Sequence, residues 1–458
     1  MSGSLPRRGT EVWGIGPEAE PAFARVVFVT IDTLRADHLA CYGYFRSTSP
    51  FLDRLAERSL VFESAMSASS HTAPSHASMF TGLPPGLHGL LTNGSVLPPE
   101  VTTLAESFRT AGYETAAFTS VEFLEGIARG FDHVRARTTK AEGISNAAIS
   151  WLRKERGSDR FLLWLHYYDP HRWKMPDRVP PGRADAVRAS TTIEPEDVYQ
   201  EVARRHGLPI PFAPAEWRLG DKGEEVTTTT QAEILAWIDS YDAQIAYADD
   251  QIRRVYESLE ELELSGETLW IVTADHGEGL GSHGYAGHGW QVYQEQLRVP
   301  LIVHGSAGSI PARRFAGLVS LVDLFPTLID LLGGTVSGEL AEWTGRSLRP
   351  LLAGEELPGV AYAFAQRRPL RTTGGDGVFA LLDGRHKLVL RTTGDDELFD
   401  LRADPLERVN VLPSGGEELA RLRAELQRTL AAIGTQGLAS EEGAEEWLEE
   451  LQKLGYAR

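Results

Sequence analysis

The sequence predicts an α/β protein: a large, mostly parallel sheet sandwiched by helices, followed by a smaller C-terminal antiparallel α+β subdomain. Three observations predict it. Short β-branched or apolar runs, of the kind buried on both faces of a sheet, alternate with amphipathic helical segments. Beyond about residue 365 the pattern changes to short apolar strands joined by Gly/Asp turns. With 458 residues, 42% hydrophobic and 24% charged, the chain has enough apolar material for a large core, and no repeat tract competes with it.

Taken in order, residues 1–24 form a Gly/Ser/Pro-containing tail, and the large α/β domain spans 25–365. Val26 to Ile31 is a buried strand that ends in Asp32. Ser49 and Pro50 read as N-cap and first helical position, with Leu52, Leu55 and Ala56 on one face, and a strand follows around Leu60 to Phe62. Thr103 and Glu106 make a capping box; Leu104 and Phe108 share a helical face, and Gly112 stops that helix before a strand at Thr115 to Phe118. Phe161 to His166 and Leu269 to Thr273 are two more buried strands. Between them Tyr241, Ile245, Ala248, Ile252, Val255 and Leu259 lay one helical stripe on the sheet.

From 172 to 231 no period is sustained, and the stretch reads as an insertion over the active edge. Leu324 to Leu332 is a helix capped by Asp323 and stopped by Gly333. Phe379 to Leu382, His386 to Leu390 and Glu397 to Asp400 are strands of the small subdomain, 366–435, which a helix carrying Leu419, Leu422, Leu426 and Leu430 closes. Ser440 caps a last helix, within 436–458, carrying Trp447, Leu448, Leu451 and Leu454. That helix is too apolar to stay solvated, so it docks on the chain or pairs two copies in a homo-oligomer.

Basic residues number 45 and acidic ones 64, a net charge of −19, which argues against a nucleic-acid or anionic-membrane partner. It leaves open a small anionic substrate, because a metal and a few cationic side chains set the local potential in a pocket. Cys41 is the single cysteine, which excludes an intramolecular disulfide and a Cys-based zinc site. No run of 18 apolar residues occurs, so no membrane span is expected. As written the chain reads as soluble and cytoplasmic; a periplasmic or secreted protein whose signal had been removed would read the same way.

The chemistry lies in three places where a strand or loop gives way to a helix. Asp32 follows the first strand, aimed at the crevice outside the carboxyl ends of the sheet. In Ser70 to Gly82, Thr72 reads as an N-cap with Pro74 in the first turn, which sets its hydroxyl beside free N–H groups suited to an anion. Asp275 and His276, in the run Thr273 to Glu278, follow another buried strand. Together Asp32, Thr72, Asp275 and His276 make a metal site; oxygen ligands with one imidazole favour Zn²⁺ or Mn²⁺ over Ca²⁺ or Mg²⁺. A threonine hydroxyl beside such an ion is acidified into a nucleophile. The alternative is that Thr72 and Ser75 only cap a helix while Asp275 and His276 only end a strand.

The run Thr72-Ala73-Pro74-Ser75-His76-Ala77-Ser78-Met79-Phe80-Thr81-Gly82 resembles the sulfatase signature of the alkaline phosphatase superfamily, and Asp32 before it and Asp275-His276-Gly277-Glu278 after it fall in the order of that superfamily's metal ligands. The resemblance spans residues 25 to about 412. It takes in Trp164 to His171, His283-Gly284 to His288-Gly289, Arg298 to Val303, Glu397 to Leu401 and Asp404 to Glu407. Four positions depart from it. Sulfatases carry at 72 a Cys or Ser that matures to formylglycine, which threonine cannot become; His76 stands for an arginine, Thr33 for a second metal-binding aspartate and His288 for a lysine. Members of the superfamily with a threonine nucleophile work on phosphate esters through a phospho-threonine. The resemblance thus implies a metal-dependent hydrolase of phosphate mono- or diesters acting through Thr72. Sulfate-ester hydrolysis without formylglycine, phosphoryl transfer to another acceptor, and a catalytically silent metal-binding homologue are the alternatives.

His171 and His288 fall where the resemblance places groups that touch the substrate's anionic oxygens or protonate its leaving group; the alternative for each is a surface loop histidine. His283 with Asp169 is a candidate second metal site. Arg35 and His166 are second supports of the site or core residues. His38, His88, His206, His304 and His386 are structural, and Lys387 belongs to the small subdomain that borders the pocket in the family.

Overall fold

Strands buried on both faces, flanked by two partly exposed edge strands, build an eight-stranded sheet: β1 (Arg25–Ile31), β2 (Leu60–Met66), β3 (Glu114–Thr119), β4 (His133–Ala136), β5 (Phe161–Tyr167), β6 (Thr268–Thr273), β7 (Arg298–Gly305) and β8 (Arg313–Ser320), with β4 and β8 at the edges. The structure, a computed structural model, describes residues 14–15, 21–210, 215–219, 225–335, 345–357, 359, 361–367, 377–392, 395–414 and 416–436. In space the order is β8-β2-β7-β6-β1-β5-β3-β4. Every neighbouring pair is parallel except those of β7, which runs opposite to β2 and β6. The sheet is therefore mostly parallel, with one reversed strand that hydrophobicity alone does not reveal.

Helices cover it: α1 (Pro50–Ala56), α2 (Thr72–Thr81), α3 (Leu104–Thr110), α4 (Ala141–Lys154), α5 (Gln231–Glu261) and α6 (Leu324–Leu331). The stripe Tyr241, Ile245, Ala248, Ile252, Val255 and Leu259 is buried along α5 as its spacing predicts, so truncating any of its large members costs about 2–5 kcal/mol. Thr103 and Glu106 form the expected capping box on α3. Two other caps differ. Ser49 gives its hydroxyl to Asp53 Oδ1 at 3.0 Å, and the N–H groups of Phe51 and Leu52 donate instead to the two carboxylate oxygens of Asp249, on α5, at 2.8 and 2.9 Å. Asp323 does not cap α6 with its side chain: it is the third residue of a preceding 3-10 turn whose capping box opens at Ser320. Gly333, at φ 76°, follows α6 as expected.

The small sheet is antiparallel, with β9 (Ala363–Arg367), β10 (Val378–Leu382), β11 (His386–Arg391) and β12 (Glu397–Asp400) side by side. Composition did not single out β9. Helix α7 (Gly416–Gln436) buries Leu422, Leu426 and Leu430, with Leu419 half-buried. The helix expected after Ser440, and the pairing of copies through it, lie outside the described residues. The stretch 172–231, aperiodic in sequence, contains the helices Arg183–Ala189 and Val198–His206 and a hairpin of Ala215–Leu219 with Glu225–Thr229. No helix among the described residues is long and apolar enough to cross a membrane.

Candidate active site

Thr30 on β1 and Thr273 on β6 are register partners, so Asp32 and Asp275, each two residues further on, leave the sheet side by side. Thr33 turns the chain with φ 57°, an uncommon value for a β-branched residue. Three hydrogen bonds hold it there. Its N–H donates to Asp275 Oδ1 at 3.1 Å, its hydroxyl to the Asp32 carbonyl at 2.7 Å, and its own carbonyl accepts from the Tyr241 hydroxyl at 2.6 Å.

The N-cap position of α2 belongs to His71, whose backbone is extended; Thr72 is already helical, so the expectation that Thr72 caps the helix is corrected. Its side chain is thereby released from the helix end and its Oγ1 lies 3.3 Å from His276 Nε2. His276 donates from Nδ1 to the Gly277 carbonyl at 2.9 Å, which leaves Nε2 with the lone pair. Ser75, the other suggested cap, gives its hydroxyl to the Asp275 carbonyl at 2.6 Å and ties α2 to the end of β6.

Asp32, Thr72, Asp275 and His276 are thus together, and each is buried to within 1% of full enclosure. Asp275 Oδ1 accepts from the N–H groups of Thr33 and His276, whereas Asp275 Oδ2 and Asp32 Oδ1 are buried with no hydrogen-bond partner. Burial, and then the charge of Asp275, push the Asp32 carboxyl well above the usual carboxylate range. Burial acts on Asp275 in the same sense, but the neighbouring imidazoles of His276, His76 and His166, with the His276 backbone N–H, more than offset it and hold that carboxyl below its ordinary value. Two buried carboxylates facing an imidazole lone pair are stabilised by a cation, and Asp32, Asp275 and His276 place one ligand atom each close enough to share an ion.

His76, His166 and Asp275 form a second such cluster. His76 donates from Nδ1 to the Thr72 carbonyl at 2.8 Å; its Nε2 accepts from the Thr30 hydroxyl at 3.0 Å, which in turn accepts from Trp164 Nε1 at 3.0 Å. Both ring nitrogens are committed, and burial lowers its pKa to about 4, so where the family resemblance leads to a guanidinium this chain holds a neutral imidazole. His166 sets Nε2 at 3.3 Å from Asp32 Oδ2 and is pushed by burial to about 4.

His171 and His288 are also at the site. The His288 ring lies 4.5 Å from that of His276, and His171 stands 4.8 Å from His288 while stacking on Tyr168 at 4.2 Å. Burial, then the neighbouring imidazoles of His288 and His276, push His171 well below the ordinary histidine value. Sequence reasoning missed the residue beneath them. Glu278, 1% exposed, accepts from Trp173 Nε1 at 2.9 Å and from His288 Nδ1 at 3.2 Å. A carboxylate can only accept here, so His288 is fixed as the Nδ1–H form with Nε2 on the opposite edge of its ring.

His283 and Asp169 do not meet. His283 pairs with Glu295 at 3.0 Å and stacks on Tyr293 at 3.9 Å, while Asp169 accepts from the Ala141 N–H at the start of α4. Among the described residues the two share no cluster of metal-ligating side chains, so the candidate second metal pair, ranked below a single ion, finds no support. Arg35 is a buried tie: its Nε and Nη2 hold both oxygens of Asp37, and its Nη1 reaches the Glu278 carbonyl at 3.2 Å and Ser282 Oγ at 3.1 Å. His38 bonds Asp242 and His206, His88 bonds Ser78, and His304 bonds Ser59, while His386 lies 3.7 Å from Asp383; all are packing or network residues. Lys387 is spent on Glu407, 2.7 Å away, both fully buried.

The chain is 25% identical over 440 residues to the "Uncharacterized sulfatase YidJ" of Escherichia coli (strain K12), covering 84% of this chain and 82% of that protein. It is 24% identical over 486 residues to an N-acetylglucosamine-6-O-sulfatase of Bacteroides thetaiotaomicron, covering 88% and 85%. The fold matches the crystal structure of a phosphonate monoester hydrolase of Agrobacterium radiobacter with a TM-score of 0.68 at 20% identity, over 93% of this chain and 99% of that one. The family described as N-sulphoglucosamine sulphohydrolase, C-terminal, matches residues 281–436. The Sulfatase family matches residues 24–334, about two thirds of the chain and all of the large sheet with its site; the chain belongs to the sulfatase family, ester-bond hydrolases of the alkaline phosphatase-like superfamily.

Proposed function

We propose that this chain hydrolyses phosphate esters through a covalent phospho-threonine on Thr72. The observation that carries the reading is the release of the Thr72 hydroxyl from capping, with Oγ1 3.3 Å from His276 Nε2 inside a cluster of buried, under-partnered carboxylates. Asp32, Asp275 and His276 would hold the divalent ion, with Thr72 Oγ1 as a fourth donor; the oxygen-plus-imidazole set fits Zn²⁺ or Mn²⁺. Such an ion supplies positive charge against the ester's anionic oxygens and favours the ionised hydroxyl.

Thr72 gives its proton to solvent, its oxygen forms a bond to phosphorus, and the bond from phosphorus to the leaving oxygen breaks. His288, held on Glu278 through Nδ1–H and protonated at Nε2 from solvent beforehand, hands that Nε2 proton to the leaving oxygen and is left as the neutral Nδ1–H form. Water then attacks phosphorus on the line opposite Thr72, giving up its proton to His288, and the threonine oxygen departs and is reprotonated. His171, kept neutral by burial, donates a hydrogen bond to the ester without adding charge. His166 orients the Asp32 carboxylate, and His76 holds the backbone of Thr72 through its carbonyl.

A second reading has its own support, since the curated relatives are sulfatases: the same residues would act on a sulfate ester. Against it stands Thr72 itself, which cannot be oxidised to the aldehyde that sulfatases use. Acid quenching during turnover of p-nitrophenyl phosphate and mapping the peptide containing Thr72 tests the proposal. Phosphate on Thr72 supports it; turnover with no covalent adduct at any point overturns it.

A further inference from the structure

A cleft of about 160 Å³ opens beside the site, lined by His171, His288 and Glu278 together with Arg172, Lys174 and Met175. Of the two imidazoles that line it, His288 packs against His276 and His171 against His288, so a group that leaves the ester centre toward His288 enters this cleft. Its cationic lining is unusual for a chain with 64 acidic and 45 basic residues. The Arg172 guanidinium lies 4.9 Å over the Tyr168 ring and the Lys174 ammonium 5.0 Å over the Trp173 ring, and among the described residues neither cation is paired with a carboxylate. Arg172 Nε is buried without a partner. The backbone that carries them is fixed: the Arg172 carbonyl accepts from Gln244 Nε2 at 2.6 Å and from the Met175 N–H at 2.7 Å, and Trp173 is anchored on Glu278. Two cations held on aromatic faces, lining the same cleft as the residue placed at the leaving oxygen, are suited to receive an anion. Met175, 44% exposed, adds an apolar surface next to it.

We infer that the preferred substrate carries a second anionic group, a carboxylate, phosphate or sulfate, on its leaving portion, and that Arg172 and Lys174 bind it. This inference rests on the proposed reaction, in that it takes the leaving group to face His288.

The test compares p-nitrophenyl phosphate with the same ester bearing a ring carboxylate, in the wild type, in Arg172→Gln/Lys174→Gln and in the charge-conserving Arg172→Lys/Lys174→Arg. The wild type should bind the carboxylated ester with a KM lower by about 5- to 10-fold, an advantage that shrinks as salt is raised. The Gln pair should bring the ratio of the two KM values to about 1, and the charge-conserving pair should keep most of it. Equal KM values in the wild type, or an undiminished ratio in the Gln pair, would overturn the inference. If phosphates are inert and the matching sulfates are turned over, the proposed reaction falls, yet the same ratio measured on the sulfates still decides the subsite.

Discussion

Thr33 donates its backbone N–H to Asp275 Oδ1 at 3.1 Å, joining the turn after the first strand to the carboxylate that follows the sixth. That bond takes one oxygen of Asp275 and leaves the other, Oδ2, buried without a partner, 3.4 Å from His276 Nε2. In Asp275→Asn the amide oxygen can still accept from Thr33, while an NH₂ group replaces the oxygen open to a cation. The expected outcome is a folded protein that has lost its metal. Elemental analysis after purification without chelator should find about one Zn or Mn per wild-type chain and a small fraction of that in the variant. Stoichiometric metal in the variant would contradict the ligand assignment.

Thr72→Ala should lower kcat by at least ~10³-fold, the scale on which a lost nucleophile shows. Stability should change by less than about 1 kcal/mol, because the hydroxyl caps no helix end. Near-normal turnover would show that water attacks directly; a large drop in Tm would show that the hydroxyl is structural.

The parts of the fold and site legible in the sequence are those set by local pattern. Buried strands announce themselves by apolar runs, and Asp32, Asp275 and His276 could be read because each follows such a run in a parallel sheet, whose strand ends share one edge. What could not be read depends on long-range register or on satisfying a particular atom. The reversal of β7 is invisible in its residues. Asp249 serves the start of α1 across 197 residues of sequence, a partner that no local capping rule can find. Asp169 and His283 are plausible ligands by residue type, but the start of α4 and Glu295 claim them. Glu278 stood within a recognised motif; its burial beneath His288 and Trp173 emerges only in three dimensions.

If His288 delivers the proton to the leaving oxygen and Glu278 holds it in place, poor leaving groups should suffer most. Glu278→Gln should reduce kcat for phenyl phosphate by about 10- to 100-fold and for p-nitrophenyl phosphate by clearly less, with KM for both changed by under ~3-fold. A loss independent of the leaving group would assign Glu278 a purely structural role.

His283 gives the protein a pH-dependent stability away from the chemistry. Burial opposes its charged form, but the Glu295 carboxylate 3.0 Å away prevails and raises its pKa to about 9. A raised pKa stabilises the fold fully below the unfolded value and is lost as pH rises through the folded one. The wild type should therefore lose up to about 3 kcal/mol between pH 6.5 and 9, seen as a falling Tm. In His283→Gln the fall over that window should be markedly smaller; an identical fall would mean that the pair contributes nothing.

The choice between phosphorus and sulfur at the ester centre is the central claim, and one ratio tests it: kcat/KM for p-nitrophenyl phosphate, or bis-p-nitrophenyl phosphate, over kcat/KM for p-nitrophenyl sulfate. It should be measured with saturating Zn²⁺ or Mn²⁺ on protein shown by mass spectrometry to carry unmodified Thr72. A plain threonine nucleophile predicts a ratio of at least ~10 for the better phosphate, about 1.4 kcal/mol of differential transition-state binding. A clear preference for the sulfate ester on that same protein would contradict it.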